Sequence, residues 1–267
     1  MRTVQDLGSS HGWHRRRAEL PDGRHAFVKT GLVSQVFTSE AAGLRWLGET
    51  GTVAVPEVLE AGEDRLVVEW VETADATAEA AERFGRRLAG LHRAGAGGYG
   101  APWPGFIAEL PMDNGPAADW PSFYASRRLH PFIRLARDTG RLGADDVGIL
   151  EEVIGRLPEL AGPAEPPARL HGDLWSGNLL WTTGGVVLVD PAAHGGHRET
   201  DLAMLALFGA PHLNTILAAY REEAPPSDGW RARVPLHQLH PLLVHVCLYG
   251  EPYRDSLLAA AARSLEI

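Results

Sequence analysis

The segment from Arg169 to Asp190 constrains the fold more than any other part of this chain. Arg169-Leu170-His171, Asn178-Leu179-Leu180-Trp181 and Val186-Val187-Leu188-Val189 are apolar runs of strand length, and the turn Thr182-Thr183-Gly184-Gly185 joins the last two. A hairpin from Asn178 to Asp190 returns these two residues to the same end of adjacent strands. Helical patterns lie on both sides, so this small sheet interrupts a largely helical body.

The first seventy residues read differently. Arg16 to Leu20, the turn Pro21-Asp22-Gly23 and His25 to Lys29 predict a hairpin with Lys29 late on its second strand. Ser39 to Leu47 carries helical spacing, and Val55 to Leu59 and Arg65 to Val71 read as strands around the turn Ala61 to Asp64. A linker falls near residues 72–76. Beyond it, helices are expected from Ala81 to His92, Asp145 to Leu157, Asp201 to Phe208, His212 to Arg221 and Val234 to Ser264, the last broken at Pro241 and Pro252. Gly95 to Trp120, rich in glycine and proline, reads as a loop. The expected architecture is α+β with two unequal lobes, residues 1–72 and 73–267.

Composition narrows the class. At 267 residues and 45% hydrophobic, the chain can bury a core without a disulfide or metal staple, and its single cysteine, Cys247, cannot form an internal bridge. A reducing, cytoplasmic compartment is expected, with no membrane-spanning stretch. The net charge of −9 gives no overall positive field for nucleic acid, and Arg15-Arg16-Arg17 reads as a solvated strand or turn. Of the 25 basic residues all but Lys29 are arginine. A lysine is a compact point charge where arginine is a planar fork, so a site built for one does not simply accept the other.

Chemistry gathers on the strand island. Phosphoryl transfer from a nucleotide requires a carboxylate near the attacking hydroxyl and oxygen ligands that hold magnesium against the phosphates. Asp173 in His171-Gly172-Asp173, Asn178 five residues later and Asp190 at the end of the hairpin have the required types and order. Lys29 on a strand and Glu40 on the following helix match a lysine that grips the phosphates and the carboxylate that holds it. Glu69-Trp70-Val71, where the small sheet ends, places linker backbone where an adenine edge could be read.

His171-Gly172-Asp173-Leu174-Trp175-Ser176-Gly177-Asn178, Asp190-Pro191-Ala192 and Gly196-His197-Arg198-Glu199-Thr200-Asp201-Leu202-Ala203-Met204 together resemble the fructosamine kinase family, within the aminoglycoside phosphotransferase and choline kinase branch of the protein-kinase-like fold. Phe27-Val28-Lys29, Gly105-Phe106-Ile107, Asp119 to Tyr124 and Arg127-Arg128-Leu129 support it, and the resemblance spans nearly the whole chain. It implies a two-lobed kinase using ATP and Mg2+, with Asp173 as catalytic carboxylate, Asn178 and Asp190 as metal ligands, and Lys29 and Glu40 as the phosphate-clamping pair. The implied acceptor is a ketosamine, free or as a glycated lysine, with Trp175 against it. Val244-His245-Val246-Cys247-Leu248-Tyr249-Gly250 keeps the histidine, an aromatic and the glycine of the family's C-terminal run but not its asparagines, which leaves His245 as a weaker acceptor contact.

Several residues keep a second reading. His197 is either an acceptor contact or a loop anchor, Asp201 and Glu199 read as anchors, and Trp175 could simply pack. A glycine-rich phosphate loop is replaced by Leu7-Gly8-Ser9-Ser10-His11-Gly12-Trp13. Neither His237 with His240 nor His194 with His197 brings the carboxylate and third ligand of a zinc site. Two alternatives remain beside the ketosamine kinase: a kinase for an aminoglycoside or amino alcohol, and a nucleotide-binding regulator without catalysis.

Overall fold

The computed structural model describes residues 1–32 and 35–267. Its N-terminal part is one antiparallel sheet in the order β1-β2-β3-β5-β4, formed by β1 (Arg2–Ser10), β2 (Trp13–Glu19), β3 (His25–Thr30), β4 (Val58–Ala61) and β5 (Arg65–Glu69), with α1 (Val36–Gly48) between β3 and β4. Alternation decides the two faces. Ala18, Ala26, Val28 and Val67 pack outward with Leu20 and Leu59, while Trp13, Leu66 and Val68 face Phe37, Ala41 and Leu44 of α1. The hairpin read around Pro21-Asp22-Gly23 and the helix read from Ser39 are both present, the helix starting three residues earlier.

One expectation in this part changes, the start of β4. Leu7 to Trp13, the stretch that stands in place of a glycine-rich phosphate loop, comprises the end of β1, a bulge between Asp6 and Ser9, and a two-residue turn into β2. His11 and Gly12 of that turn have φ of 52° and 83°, the left-handed pair that a type I′ hairpin requires. Strand β1 is exposed along most of its length, so it carries no apolar alternation to be read and is held by pairing with β2. Strand β4 begins at Val58 and not Val55, because Pro56 has no N–H to offer a ladder. The backbone before it turns away and accepts Leu188 N–H on the Ala54 carbonyl at 2.9 Å, tying the sheet to the helical part.

Residues 70–77 are irregular, and α2 (Ala78–Ala94) follows, its first turn capped by the Thr77 hydroxyl accepting from Ala80 N–H. The glycine- and proline-rich stretch holds a short hairpin, β6 (Gly105–Ile107) with β7 (Leu110–Met112). Next come α3 (Trp120–Phe123), a π-helical turn (Tyr124–Leu129) and α4 (His130–Asp138), then α5 (Ala144–Gly155) and α6 (Leu157–Leu160). The island consists of β8 (Ala168–Leu170), β9 (Leu179–Thr182), β10 (Gly185–Leu188) and β11 (His194–Gly196), with β9 pairing β10 and β8 pairing β11. Helices α7 (Glu199–Phe208), α8 (Leu213–Glu223), α9 (Trp230–Tyr249) and α10 (Arg254–Leu265) complete the chain. One apolar core surrounds α9, and a second lies between α2, the β9–β10 hairpin and α8.

Of the two breaks that the sequence predicts here, the one at Pro252 is present, at Gly250 to Pro252, whereas helix α9 runs straight through Pro241. The reason lies on another element. Tyr124 is buried, and its hydroxyl donates to the Leu236 carbonyl at 2.8 Å while accepting His240 N–H at 3.1 Å, filling the gap in the helical ladder. A side chain about thirty times farther off in sequence than a helical turn thus satisfies the groups that a helix this close to a proline leaves open. Tyr124→Phe should destabilise the protein by about 1–3 kcal/mol, the cost of a buried polar group left unpaired. Urea denaturation measures this, and an unchanged midpoint would mean the helix closes its own ladder without the hydroxyl.

Candidate active site

The inner face of the sheet places Lys29 under α1, where it is only 3% exposed. A buried ammonium needs partners. Nζ donates to Glu40 Oε1 and Oε2 at 2.9 and 2.8 Å, and to Asp190 Oδ1 at 2.6 Å. Glu40 arrives on α1, and Asp190 follows β10 in a left-handed conformation, φ 52°, that Asp tolerates better than most residues. Burial alone would lower the Lys29 pKa, but Asp190 and Glu40 more than offset it and hold it above the ordinary lysine range. Burial and the Asp190 charge push the Glu40 carboxyl up, against the pull of Lys29. The Asp190 side chain, 49% exposed, opens to the cleft and stays ionised beside Lys29.

Opposite this cluster lies the segment His171 to Asn178. His171 is buried, with Nε2 at 3.0 Å from the Val189 carbonyl and Nδ1 facing Asp173 N–H, an arrangement that fits a neutral ring carrying its proton on Nε2. Gly172 has φ 82°, and a Cβ there would collide with the Ala192 carbonyl, so the turn depends on glycine. Asp201 supports the turn from below: its carboxylate accepts His171 N–H at 2.8 Å and Gly172 N–H at 3.0 Å. His92 Nε2 stands 3.2 Å from the same carboxylate and His92 Nδ1 2.8 Å from the Tyr220 hydroxyl, so a buried polar chain runs from α8 to the turn.

The Asp173 carboxylate accepts Asn178 Nδ2–H at 3.0 Å, and the same amide donates to the Asp173 carbonyl at 2.9 Å. With its nitrogen so committed, Asn178 keeps its Oδ1 without a donor among the described residues. Burial first, and then the neighbouring Asp190 charge, raise Asp173 to about 7. Such a carboxyl group changes charge near neutrality, as a general base working at that pH requires.

Lys29, Glu40, Asp173, Trp175, Asn178, Asp190 and His245 border one cleft of about 680 Å³. Glu69 and Val71 are not part of that lining; Glu69 N–H donates to the Glu57 carbonyl within the sheet. His197 lies behind the cleft wall, 4% exposed and against the rings of Trp120 and His237, a position that fits the anchor reading. The cleft also gathers groups that sequence reasoning missed. Phe208, Tyr249 and Tyr253 join Trp175 and His245 in one aromatic wall, with ring centroids 4.7–6.3 Å apart. No local spacing announces this wall, because its members come from four places in the chain: Trp175 after the Asp173 turn, Phe208 at the end of α7, His245 and Tyr249 near the end of α9, and Tyr253 beyond it.

His197, Glu199 and His237 bring two imidazoles and a carboxylate together, a combination that the pairings considered from sequence did not contain. Arg233 already fills it. Its Nε and Nη2 donate to the two Glu199 oxygens at 3.0 and 2.6 Å, which supplies the positive charge a metal would bring. Burial would raise Glu199, but His237, with Nε2 3.4 Å away, and the two Arg233 hydrogen bonds outweigh it and hold the carboxyl at about 2.

Fold and cleft together define a protein-kinase-like phosphotransferase. Comparison with known proteins carries the assignment further: the sequence model described as Fructosamine kinase matches residues 14–266, and the chain belongs to that family. A ketoamine kinase candidate of Synechocystis is 34% identical over 258 residues, covering 93% of this chain and 86% of that protein. The chloroplastic protein-ribulosamine 3-kinase of Arabidopsis thaliana is 33% identical over 254 residues, covering 89% and 75%. A crystal structure of a candidate fructosamine-3-kinase from Thermobifida fusca superposes with a TM-score of 0.95 at 52% identity, covering 98% of this chain and 93% of that one. An ADP-bound aminoglycoside phosphotransferase has a TM-score of 0.64 at 12% identity, over 97% and 93% of the chains, and shares the fold.

The buried Arg233–Glu199 pair offers a check on this architecture. Arg233→Ala leaves Glu199 charged and unpaired, and should destabilise the protein by about 3–5 kcal/mol. Chemical denaturation measures the loss; a change under about 1 kcal/mol would show that His237 or water compensates the charge.

Proposed function

We propose that this protein transfers the γ-phosphoryl group of ATP to a sugar hydroxyl of a ketosamine, a sugar joined to an amine. Family membership supports the reaction class, and one observation carries the mechanism: the Asp173 carboxylate, held by the Asn178 amide, shares a cleft with the Lys29–Glu40–Asp190 cluster.

In this reading Asp173 accepts the proton of the acceptor hydroxyl as that oxygen bonds to the γ-phosphorus, and the bond from phosphorus to the bridging oxygen of ADP breaks. Lys29 grips the α- and β-phosphates and Glu40 holds its ammonium in place. The free Oδ1 of Asn178 and the open carboxylate of Asp190 form an all-oxygen donor set that suits a hard divalent cation. Magnesium held there would supply neutralising charge to the phosphate oxygens. Backbone of the Glu69-Trp70-Val71 linker, at the boundary between lobes 1–72 and 73–267, reads the adenine. Trp175 stacks on the apolar face of the sugar, and His245 stands farther along the same wall. His197 acts at a distance, by holding the loop before α7.

Free ketosamines and glycated lysine side chains share the sugar-amine group. No helix among the described residues is long and apolar enough to cross a membrane, and the acidic chain without a disulfide fits a cytoplasmic setting.

Magnesium-dependent ATP consumption, measured with free and lysine-linked ketosamines beside aminoglycosides and amino alcohols, tests the assignment. Ketosamine-dependent turnover is expected, reduced at least about 10²-fold in Asp173→Asn, whose amide cannot take the proton. Turnover confined to aminoglycosides or amino alcohols would reject the acceptor, and nucleotide binding without turnover would favour a regulator. The pH profile gives a separate check. The base works only when deprotonated, so kcat/KM should rise with pH through about 7 and level off above it; a profile flat between about pH 5 and pH 8 would contradict Asp173 as the base.

A further inference from the structure

Strands β2 and β3 pair antiparallel with Arg15 directly opposite Lys29, and Arg17 opposite Phe27. Residues opposite one another point to the same face, so Arg15 shares the inner face with Lys29, and it borders the same cleft. Two cations directly opposed across a strand pair repel, and a sheet ordinarily avoids the arrangement. Lys29 is compensated by Glu40 and Asp190. Arg17, the next inner-face arginine, pairs with Glu72 at 2.6 Å and lies over the Trp70 ring. Arg15 has no such partner among the described residues, and its Nε is buried without an acceptor.

An unpaired guanidinium on the roof of a cleft is a site for an anion. The turn beside it strengthens the case. Between β1 and β2 stand only His11 and Gly12, so this edge offers few free backbone N–H groups to a chain of phosphates, and side-chain cations must supply more of the positive charge. Lys29 is the sole lysine, and both carboxylates around it draw on its charge.

We propose that Arg15 is a second phosphate-binding cation of the nucleotide site, donating to non-bridging oxygens of the diphosphate group beside Lys29. The inference rests on the nucleotide-binding reading above and assigns to that site a residue that the kinase motifs do not contain.

Calorimetric titration of wild type, Arg15→Ala and Arg15→Lys with magnesium ADP and with adenosine tests it. Adenosine lacks the phosphates, so its affinity reports whether the base site and the fold survive. Arg15→Ala should weaken ADP about tenfold while adenosine stays within about twofold, and Arg15→Lys should recover part of the loss. Unchanged ADP affinity, or equal weakening of ADP and adenosine, would overturn the assignment. A wild-type protein that binds neither ligand would instead reject the nucleotide site itself.

Discussion

One buried ammonium joins the parts of this protein that must meet. Lys29 belongs to the sheet, Glu40 to the helix packed on it, and Asp190 to the island inside the helical part, and all three meet at Nζ within 3 Å. Desolvating a lysine is costly, so the cation is tolerated only where both carboxylates stand, and each carboxylate is held by an element of different origin in the chain. The sheet thereby takes its place over the island. A guanidinium in the same position would need a wider, planar arrangement of acceptors, which accounts for a lysine in a chain that otherwise uses arginine throughout.

The opposite wall depends on polar groups hidden beneath it. Asp201 fixes two backbone N–H groups of the turn that carries Asp173, and His92 and Tyr220 extend that support to α8. Two left-handed residues, Gly172 and Asp190, aim the turn and the second carboxylate into the cleft. Burial and then neighbouring negative charges raise the Asp173 pKa, so the packing that positions the carboxylate also sets its proton affinity. Buried imidazoles on this side stay neutral because burial disfavours their charged form, as at His171 and His237.

What could be read from the sequence was local. Turn chemistry and alternation show the β2–β3 and β9–β10 hairpins, and helical spacing shows α1, α2 and α5, because in each case the stabilising contacts repeat within a few residues. The Lys29–Glu40 contact and the convergence of Asp173, Asn178 and Asp190 follow from the same short-range elements. The rest depends on distant partners. Strand β1 has no apolar stripe of its own, Pro241 stays helical because of a hydroxyl 112 residues from Leu236, and Glu199 finds Arg233 only when α7 packs on α9. The basic run Arg15-Arg16-Arg17 reads as one solvated patch until strand register sends its first and third members to the cleft face.

Replacing Lys29 by arginine tests the central claim most directly, since it keeps the charge and changes only its shape. Steady-state phosphorylation of a ketosamine by ATP, measured beside the thermal transition of the same variant, separates function from folding. The account predicts a folded protein whose kcat/KM falls by at least about 10²-fold, as expected when one preorganised charge contact to the reacting phosphates is misplaced. A Lys29→Arg enzyme with wild-type kcat/KM would contradict it.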